Sequence, residues 1–269
     1  MIVFMLLHYG SHDVTEDCIR SIRSLGLSVL HEILIIDNDP EPSCWDHPHV
    51  VKTGNVGFSE ANNIGYKYAK DKMGATMVIA CNNDLIFEPG KFTGEVLTEL
   101  NGSGAFVAGP DIEKVGTGEH QSPIALSLRT ANEVRKTIAF NKIALALYPV
   151  VFPFLKKTLT GKVQVGVDVS DGKPLSDVVP FGACIIFTSE YIAREDRIFY
   201  PETKFYYEEY ILAARCAGSG YKIVYEPRLH VMHVDGAATV SSSKDDYLRI
   251  RNKMRNITDA AEVYLKFIG

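Results

Sequence analysis

No apolar stretch in the chain is long enough to cross a bilayer. The longest, residues 143–155, has 13 residues and two prolines, against the roughly 20 that a membrane helix needs. Cysteine is scarce and unpatterned: Cys18, Cys44, Cys81, Cys184 and Cys216 never fall at metal-binding or redox spacings, so reduced thiols in a cytoplasmic protein are expected. Positive charge is in deficit, with a net charge of -5, which argues against nucleic acid as a partner because phosphate-backbone binding needs clustered Lys and Arg. The apolar start MIVFMLL lacks a basic leader and runs into His8, so no signal peptide is expected. A strand followed by GxGxxG is missing, as is a phosphate loop with its Lys, and with them go the dinucleotide-binding and P-loop readings. No repeat or low-complexity tract is present.

What remains is ordinary globular material: 269 residues, 46% apolar and 23% charged, enough for one large domain or two fused halves. The first hundred residues alternate continuous apolar runs with helix-like segments, the pattern of parallel strands covered on both faces. Strands are expected at Ile2 to Leu7, Ile33 to Ile36, Val50 to Val51 and from Thr76 onward. The intervening helices run from a capping box at Asp13 and Glu16 to a stop at Gly26, and from about Glu60 to Lys70. Further on, FGACIIF (181–187) and YKIVY (221–225) read as strands, a helix starts near Glu208 and stops at Gly218, and residues 244–267 read as one or two helices.

Each early strand delivers polar residues at its C-terminal end: His8-Tyr9, Asp37-Asn38, Gly54-Asn55 and Asn82-Asn83-Asp84. In open α/β sheets that rim is where ligands bind. Solvated turns use the same residue types, so a single triplet decides nothing; four such ends in succession favour a site.

The order of motifs resembles glycosyltransferase family 2, and within it the bacterial rhamnosyltransferase-like members. LLHYGS, IIDND, GNVGFSEANNIG, CNNDLIF, FYYEEYILAAR, GYKIVYEPRLHVMH and RIRN occur in the order those proteins use. The resemblance implies an α/β fold of the GT-A type, a Rossmann-like, mostly parallel sheet flanked by helices with a mixed C-terminal, acceptor-side half. It implies one domain over 1–269: a nucleotide-sugar half (1–100), an acceptor half (101–243) with a basic insertion at about 118–177, and a helical tail (244–269).

The resemblance also assigns residues. Asp84 becomes the ligand of a Mg2+ or Mn2+ ion bridging the donor diphosphate, with Asn83 contacting the donor and His233 a second ligand that suits Mn2+ better than Mg2+. Tyr9 would cover a base, and Asp37 and Asn38 would accept from a base N–H or ribose hydroxyl. Asn55 and Gly57 would bring backbone close to the donor, with Asn62 or Asn63 reaching in. Glu209, or its neighbour Glu208, would be the general base that deprotonates the acceptor hydroxyl. Acids in a first helical turn are also favoured by the helix dipole alone. Two departures stand out: Glu209 replaces the family's Asp, and Ile211 replaces a second Asp.

Between Arg129 and Lys162 seven basic residues face one acid, Glu133, interleaved with Ile138, Phe140, Ile143, Leu145, Leu147, Phe152 and Phe154. That mix fits a segment lying on an anionic membrane surface, and core helices with solvated lysines share it. The leading expectation is thus a metal-dependent inverting glycosyltransferase of bacterial surface polysaccharide synthesis, peripheral on the inner leaflet. It would move a sugar such as rhamnose from a nucleotide-diphosphate donor to a glycan or lipid-diphosphate-linked acceptor. The alternative is a non-catalytic nucleotide-sugar or glycan-binding module of the same fold. A nucleotidyltransferase is disfavoured because no Lys- or Arg-bearing triphosphate loop follows the first strand.

Overall fold

Alternation along the first strand, β1 (Ile2–His8), sets the layering. Phe4 and Leu6 join one apolar cluster with Cys18, Ile19 and Ile22 of helix α1 (His12–Ser24). Val3 and Met5 join a second cluster with Ala61, Tyr66 and Ala69 of α2 (Phe58–Met73). The chain therefore builds one sheet with a core on each face, as a buried parallel strand requires. The structure is a computed structural model and describes residues 1–41, 44–152, 166–167, 169, 172–200, 202–203, 205–234 and 246–269. The expected residues Lys156, Lys157, Lys162 and Phe154 lie outside these.

Among the described residues the sheet has ten strands. Its N-terminal half is parallel: β3 (Val50–Lys52), β2 (His31–Asp37), β1 and β4 (Met77–Asn82) run side by side with all C-terminal ends on one rim. The other half is mixed. β9 (Cys184–Phe187) is antiparallel to both β4 and β6 (Val107–Lys114). β6 is parallel to β10 (Ile223–His233), and β5 (Leu85–Phe87) closes the edge antiparallel to β10. The short strands β7 (Glu119–His120) and β8 (Leu175–Ser176) pair with β6 and β10.

Several boundaries differ from the expectations. α1 is preceded by Ser11 as N-cap, without a side-chain cap bond, so Asp13 lies inside the first turn and serves the helix dipole rather than a capping box. The last strand does not stop at Tyr225 but runs to His233, accommodating Pro227 in a register shift between Glu226 and His230. A bulge is where a proline can sit in a ladder without removing a needed N–H. The helix starting at Glu208, here α6 (Glu208–Ser219), ends at Gly220, whose φ of 70° supplies the left-handed C-cap, and not at Gly218.

Further helices among the described residues are α3 (Gly94–Gly102), α4 (Ala131–Ala146) and α5 (Ser189–Ile192). The tail is a single helix, α7 (Asp246–Ile268). α4 opens with a capping box between Thr130 and Glu133 and packs on α7. Val134 and Ile138 meet Ala260, Ala261 and Tyr264, while Ala144 and Tyr148 meet Ile250 and Met254. Together the two helices cover the outer face of α6. Ile211, which stands where the resemblance would place an Asp, is 0% exposed in that contact, and a carboxylate there would be buried without water.

Candidate functional site

The junction of β4, β5 and β10 explains the hydrophilic triplet. After Asn82 the chain turns at Asn83-Asp84 and crosses into β5, whose Leu85 pairs with His233. Val234 N–H donates to the Asp84 carbonyl at 2.9 Å. This antiparallel pairing carries the two side chains to one point: His233 Nε2 lies 3.3 Å from Asp84 Oδ1. Both residues are buried, at 5% and 7% exposure, yet Asp84 Oδ1 has no hydrogen-bond partner. Buried polar atoms are almost always paired. The other imidazole nitrogen, Nδ1, is 2.7 Å from Gln121 Oε1.

The neighbouring segment 181–183 ties this point to the acids. Phe181 makes an edge contact with the His233 ring, the Ala183 carbonyl accepts from Asn82 N–H at 2.9 Å, and Gly182 N–H donates to Glu209 Oε1 at 3.2 Å. A Cβ at Gly182 would stand 2.6 Å from that oxygen, so only glycine lets the Glu209 carboxylate rest on this backbone. Asp84, His233 and Glu209 are thereby joined through three consecutive residues. Burial pushes the Glu209 carboxyl above the ordinary range. Burial, and then the nearby Glu209, push Glu208 well above it too. Glu208 Oε2 is buried with no hydrogen-bond partner.

The turn into α6 is backbone-strained. Tyr206 and Tyr207 have φ of 72° and 62°, a left-handed pair that bulky side chains rarely adopt. Such strain collects at functional sites and must be held from outside. The Tyr207 hydroxyl accepts from Arg129 Nη1, Arg129 Nη2 donates to Thr137 at 2.8 Å, and the Arg129 carbonyl accepts from the Tyr264 hydroxyl at 3.1 Å. Arg129, the first residue of the basic stretch, is therefore a clamp on the turn preceding the two acids.

At the ends of β1 to β4 the residues expected to meet a nucleotide mostly bond to one another and to the neighbouring backbone. Asp37 is fully buried; its Oδ2 accepts from Trp45 Nε1 at 3.0 Å and its Oδ1 from Asp39 N–H at 3.3 Å. Asn38 Oδ1 accepts from Thr53 Oγ1 and Val56 N–H, fixing the loop that contains Asn55 and leads to Gly57. Asn55, at φ 60°, and Gly57, at φ 96°, give that loop its left-handed turns. Asn83 Nδ2 donates to Thr15 Oγ1 at 2.8 Å and to the Tyr9 carbonyl at 3.4 Å, so it positions Tyr9. Asn62 donates back to Phe58 within α2. Asn63 faces elsewhere: its oxygen accepts from Ile198 and Phe199 N–H groups and its amide donates to the Phe199 carbonyl. The last glycine of GNVGFSEANNIG, Gly65, lies against the sheet, where a Cβ would meet Ile36 and Met5 side chains at 2.5 to 2.7 Å. That glycine serves helix-to-sheet packing, not close approach to a donor.

Four residues at the site carried no motif. Trp45 stacks on His12 at 4.1 Å and meets His8 edge-on at 4.7 Å, making an aromatic wall beside Asp37. Desolvation lowers the pKa of His8, whose Nδ1 lies 2.7 Å from Thr15 Oγ1. Thr15, Gln121 and Gly182 reach the site only through tertiary contacts; the lone tryptophan was the one available signal.

A divalent cation fits the junction. A carboxylate oxygen without a partner and an imidazole nitrogen 3.3 Å away approximate adjacent donors on an ion, which lie about 3 Å apart when each bond is about 2.1 Å. Among the described residues no cluster of three or more His, Cys, Asp or Glu side chains could hold a metal. Of the described residues, Asp84 and His233 would be the two ligands, with phosphate and water completing the sphere, as at many Mg2+-type sites.

The sheet order, the mixed half and the flanking helices make this a GT-A glycosyltransferase fold. Among solved structures, S. aureus TarS (residues 1–349) matches over 87% of this chain with a TM-score of 0.51 at 11% identity. GalNAc-T7, determined with UDP, GalNAc and Mn2+, matches over 92% with a TM-score of 0.57, also at 11% identity. The chain spans 60% and 49% of those two proteins' structures. Neither a family model nor a curated protein sequence matches it.

Proposed function

We propose that this chain is a metal-dependent inverting glycosyltransferase that uses a nucleotide-diphosphate sugar. The observation that carries the reading is the junction itself. The orphaned Asp84 carboxylate and His233 are linked through residues 181–183 to the Glu209 carboxylate. The donor diphosphate would lie over Asp84 and His233, with its nucleoside against Tyr9, Trp45 and the Asn38-held loop. A bound Mn2+ or Mg2+ would neutralise the charge that develops on the departing diphosphate. The GalNAc-T7 structure, of matching fold, contains UDP and Mn2+, in keeping with this donor class.

Glu209 is the base in this reading. The acceptor oxygen attacks the anomeric carbon from the face opposite the diphosphate, the carbon–phosphate-oxygen bond breaks, and the hydroxyl proton passes to Glu209. A single displacement inverts the anomeric centre. The raised affinity of Glu209 for a proton brings it closer to the working pH, where a general base is most effective. Glu208 beside it is raised too, by burial and then by Glu209, so the two buried acids resist ionising together. The motif resemblance favours rhamnose as the sugar and a glycan or lipid-diphosphate-linked acceptor in bacterial surface polysaccharide synthesis.

We also place the protein at an anionic membrane surface on the cytoplasmic side. Among the described residues no helix is long and apolar enough to span a membrane. α4 and the residues just after it nevertheless expose Phe140, Ile143, Leu147 and Val150 at 52 to 72%, spaced three or four residues apart. Lys136 stands in line with them at the N-terminal end.

The enzymatic reading is tested by release of free nucleoside diphosphate across a panel of donors and acceptors with Mn2+. Turnover should require the ion and fall at least a hundredfold in both Asp84→Ala and Glu209→Ala, the scale expected for general-base loss. Donor binding without turnover across the full panel would favour the non-catalytic module, the alternative in keeping with Glu209 and Ile211 standing where the family has Asp.

A further inference from the structure

We infer that Gln121 is a positioning residue that fixes His233 in the tautomer able to ligate a cation, an inference that rests on the metal-dependent reading above. Three observations carry it. Gln121 is 3% exposed and places Oε1 2.7 Å from His233 Nδ1. An amide oxygen only accepts, so Nδ1 must carry the proton. In the neutral ring Nε2 then has a bare lone pair, and it faces Asp84 Oδ1 at 3.3 Å.

Two acceptors so disposed repel unless a proton or a metal cation lies between them, and Asp84 Oδ1 has no hydrogen-bond donor although an imidazole nitrogen is next to it. The reverse tautomer would satisfy that oxygen and occupy the ligand position. Metal-binding histidines are commonly held this way, by an acceptor on the nitrogen away from the ion.

The fold gives Gln121 little freedom to do otherwise. The β6 to β7 hairpin turns at Gly116 and Gly118, with φ of 82° and 68°, pairs Glu113 with His120, and holds Gln121 N–H on the Ile112 carbonyl at 2.7 Å. Ile112 and Lys114 of the same strand pair with Val231 and His233 of β10. The side chain thus comes from one neighbour of β6 to reach a residue on the other.

The test uses the full-length protein labelled with 15N-histidine at pH 8, the Mn2+ ion as probe, and the variants Gln121→Leu and Gln121→Glu. In the wild type, two-bond 1H–15N spectra should show His233 protonated at Nδ1, and Mn2+ should broaden its resonances. Gln121→Leu should lose the single tautomer and bind Mn2+, measured by the free-ion EPR signal, about tenfold more weakly. Gln121→Glu, which keeps an acceptor at the same place, should retain the tautomer and most of the Mn2+ affinity even if the Leu variant folds poorly. An Nε2-protonated His233 in the wild type, or unchanged Mn2+ binding in Gln121→Leu, overturns the role of Gln121. Failure of Mn2+ to reach His233 in the wild type overturns the metal reading and this inference with it.

Discussion

Glu208 holds a buried carboxyl oxygen without a partner, beside a second buried acid whose own oxygen rests on Gly182 N–H. The sign of the consequence follows from linkage. Its folded-state affinity for a proton is raised, by burial and then by Glu209, well above the ordinary glutamate pKa. Below that pH both folded and unfolded chains hold the proton and nothing is lost. As pH climbs, the unfolded chain ionises first, so the folded state loses stability until the buried group also ionises. Glu208→Gln removes this loss. Its Tm should exceed that of the wild type at pH 8 by several degrees, about 2–4 °C for each kcal/mol, and the gap should close as the scan is repeated toward pH 4.5. A gap that widens on acidification would mean the carboxylate is ionised and favourably partnered in the fold.

At the scale of the element, the helix α2 is set by its contact with the sheet more than by its caps. Its N-cap, Gly57, has no side chain with which to cap the first turn. Midway along the helix, Gly65 lies where an added Cβ would fall 2.5 Å from Ile36 Cδ1 and 2.7 Å from Met5 Sδ. Gly65→Val should therefore overpack the α2 to β1 to β2 contact by about 1–3 kcal/mol and lower Tm by several degrees in a thermal melt. Gly102→Ala, at the end of α3 with no atom within 4 Å of the new methyl, is the control and should leave Tm unchanged or slightly raised. Element lengths follow similar reasoning. β10 runs past Pro227 because the register shift at Glu226 absorbs it, a tolerance that no local propensity reveals.

For the molecule as a whole, α4 and α7 form a second layer over α6, and that layer has two roles. Its inner side buries Ile211 and, through Arg129, braces the strained Tyr206-Tyr207 turn that leads into the acids. Its outer side exposes Phe140, Ile143, Leu147 and Val150. Not all of the local positive charge is unopposed: Arg129 is engaged internally, and the exposed Lys142 pairs with Glu262 at 2.6 Å. Membrane attachment should accordingly depend on the apolar stripe together with the remaining lysines. In low salt the protein should sediment with vesicles rich in anionic lipid, and a Phe140→Ser, Leu147→Ser double variant should remain in the supernatant. Wild type that stays unbound at every anionic fraction would sink the membrane placement.

The sequence by itself determined the parallel nucleotide-side strands, because continuous apolar runs ending in polar residues leave few other arrangements, and it singled out Asp84, His233 and Glu209 through the ordered motifs. The second departure, Ile211, could be noticed but not explained from the chain alone. Its explanation needed α4 and α7, which are far from it in sequence and meet it only in the fold. The same holds for Gln121 and Gly182, which have no distinguishing pattern around them. Their importance comes from a hydrogen bond across 112 residues and from the space a missing side chain leaves for a carboxylate. Periodicity reports which faces are buried, whereas the partner of each buried polar atom is set by strand order and register, and only the tertiary structure supplies those.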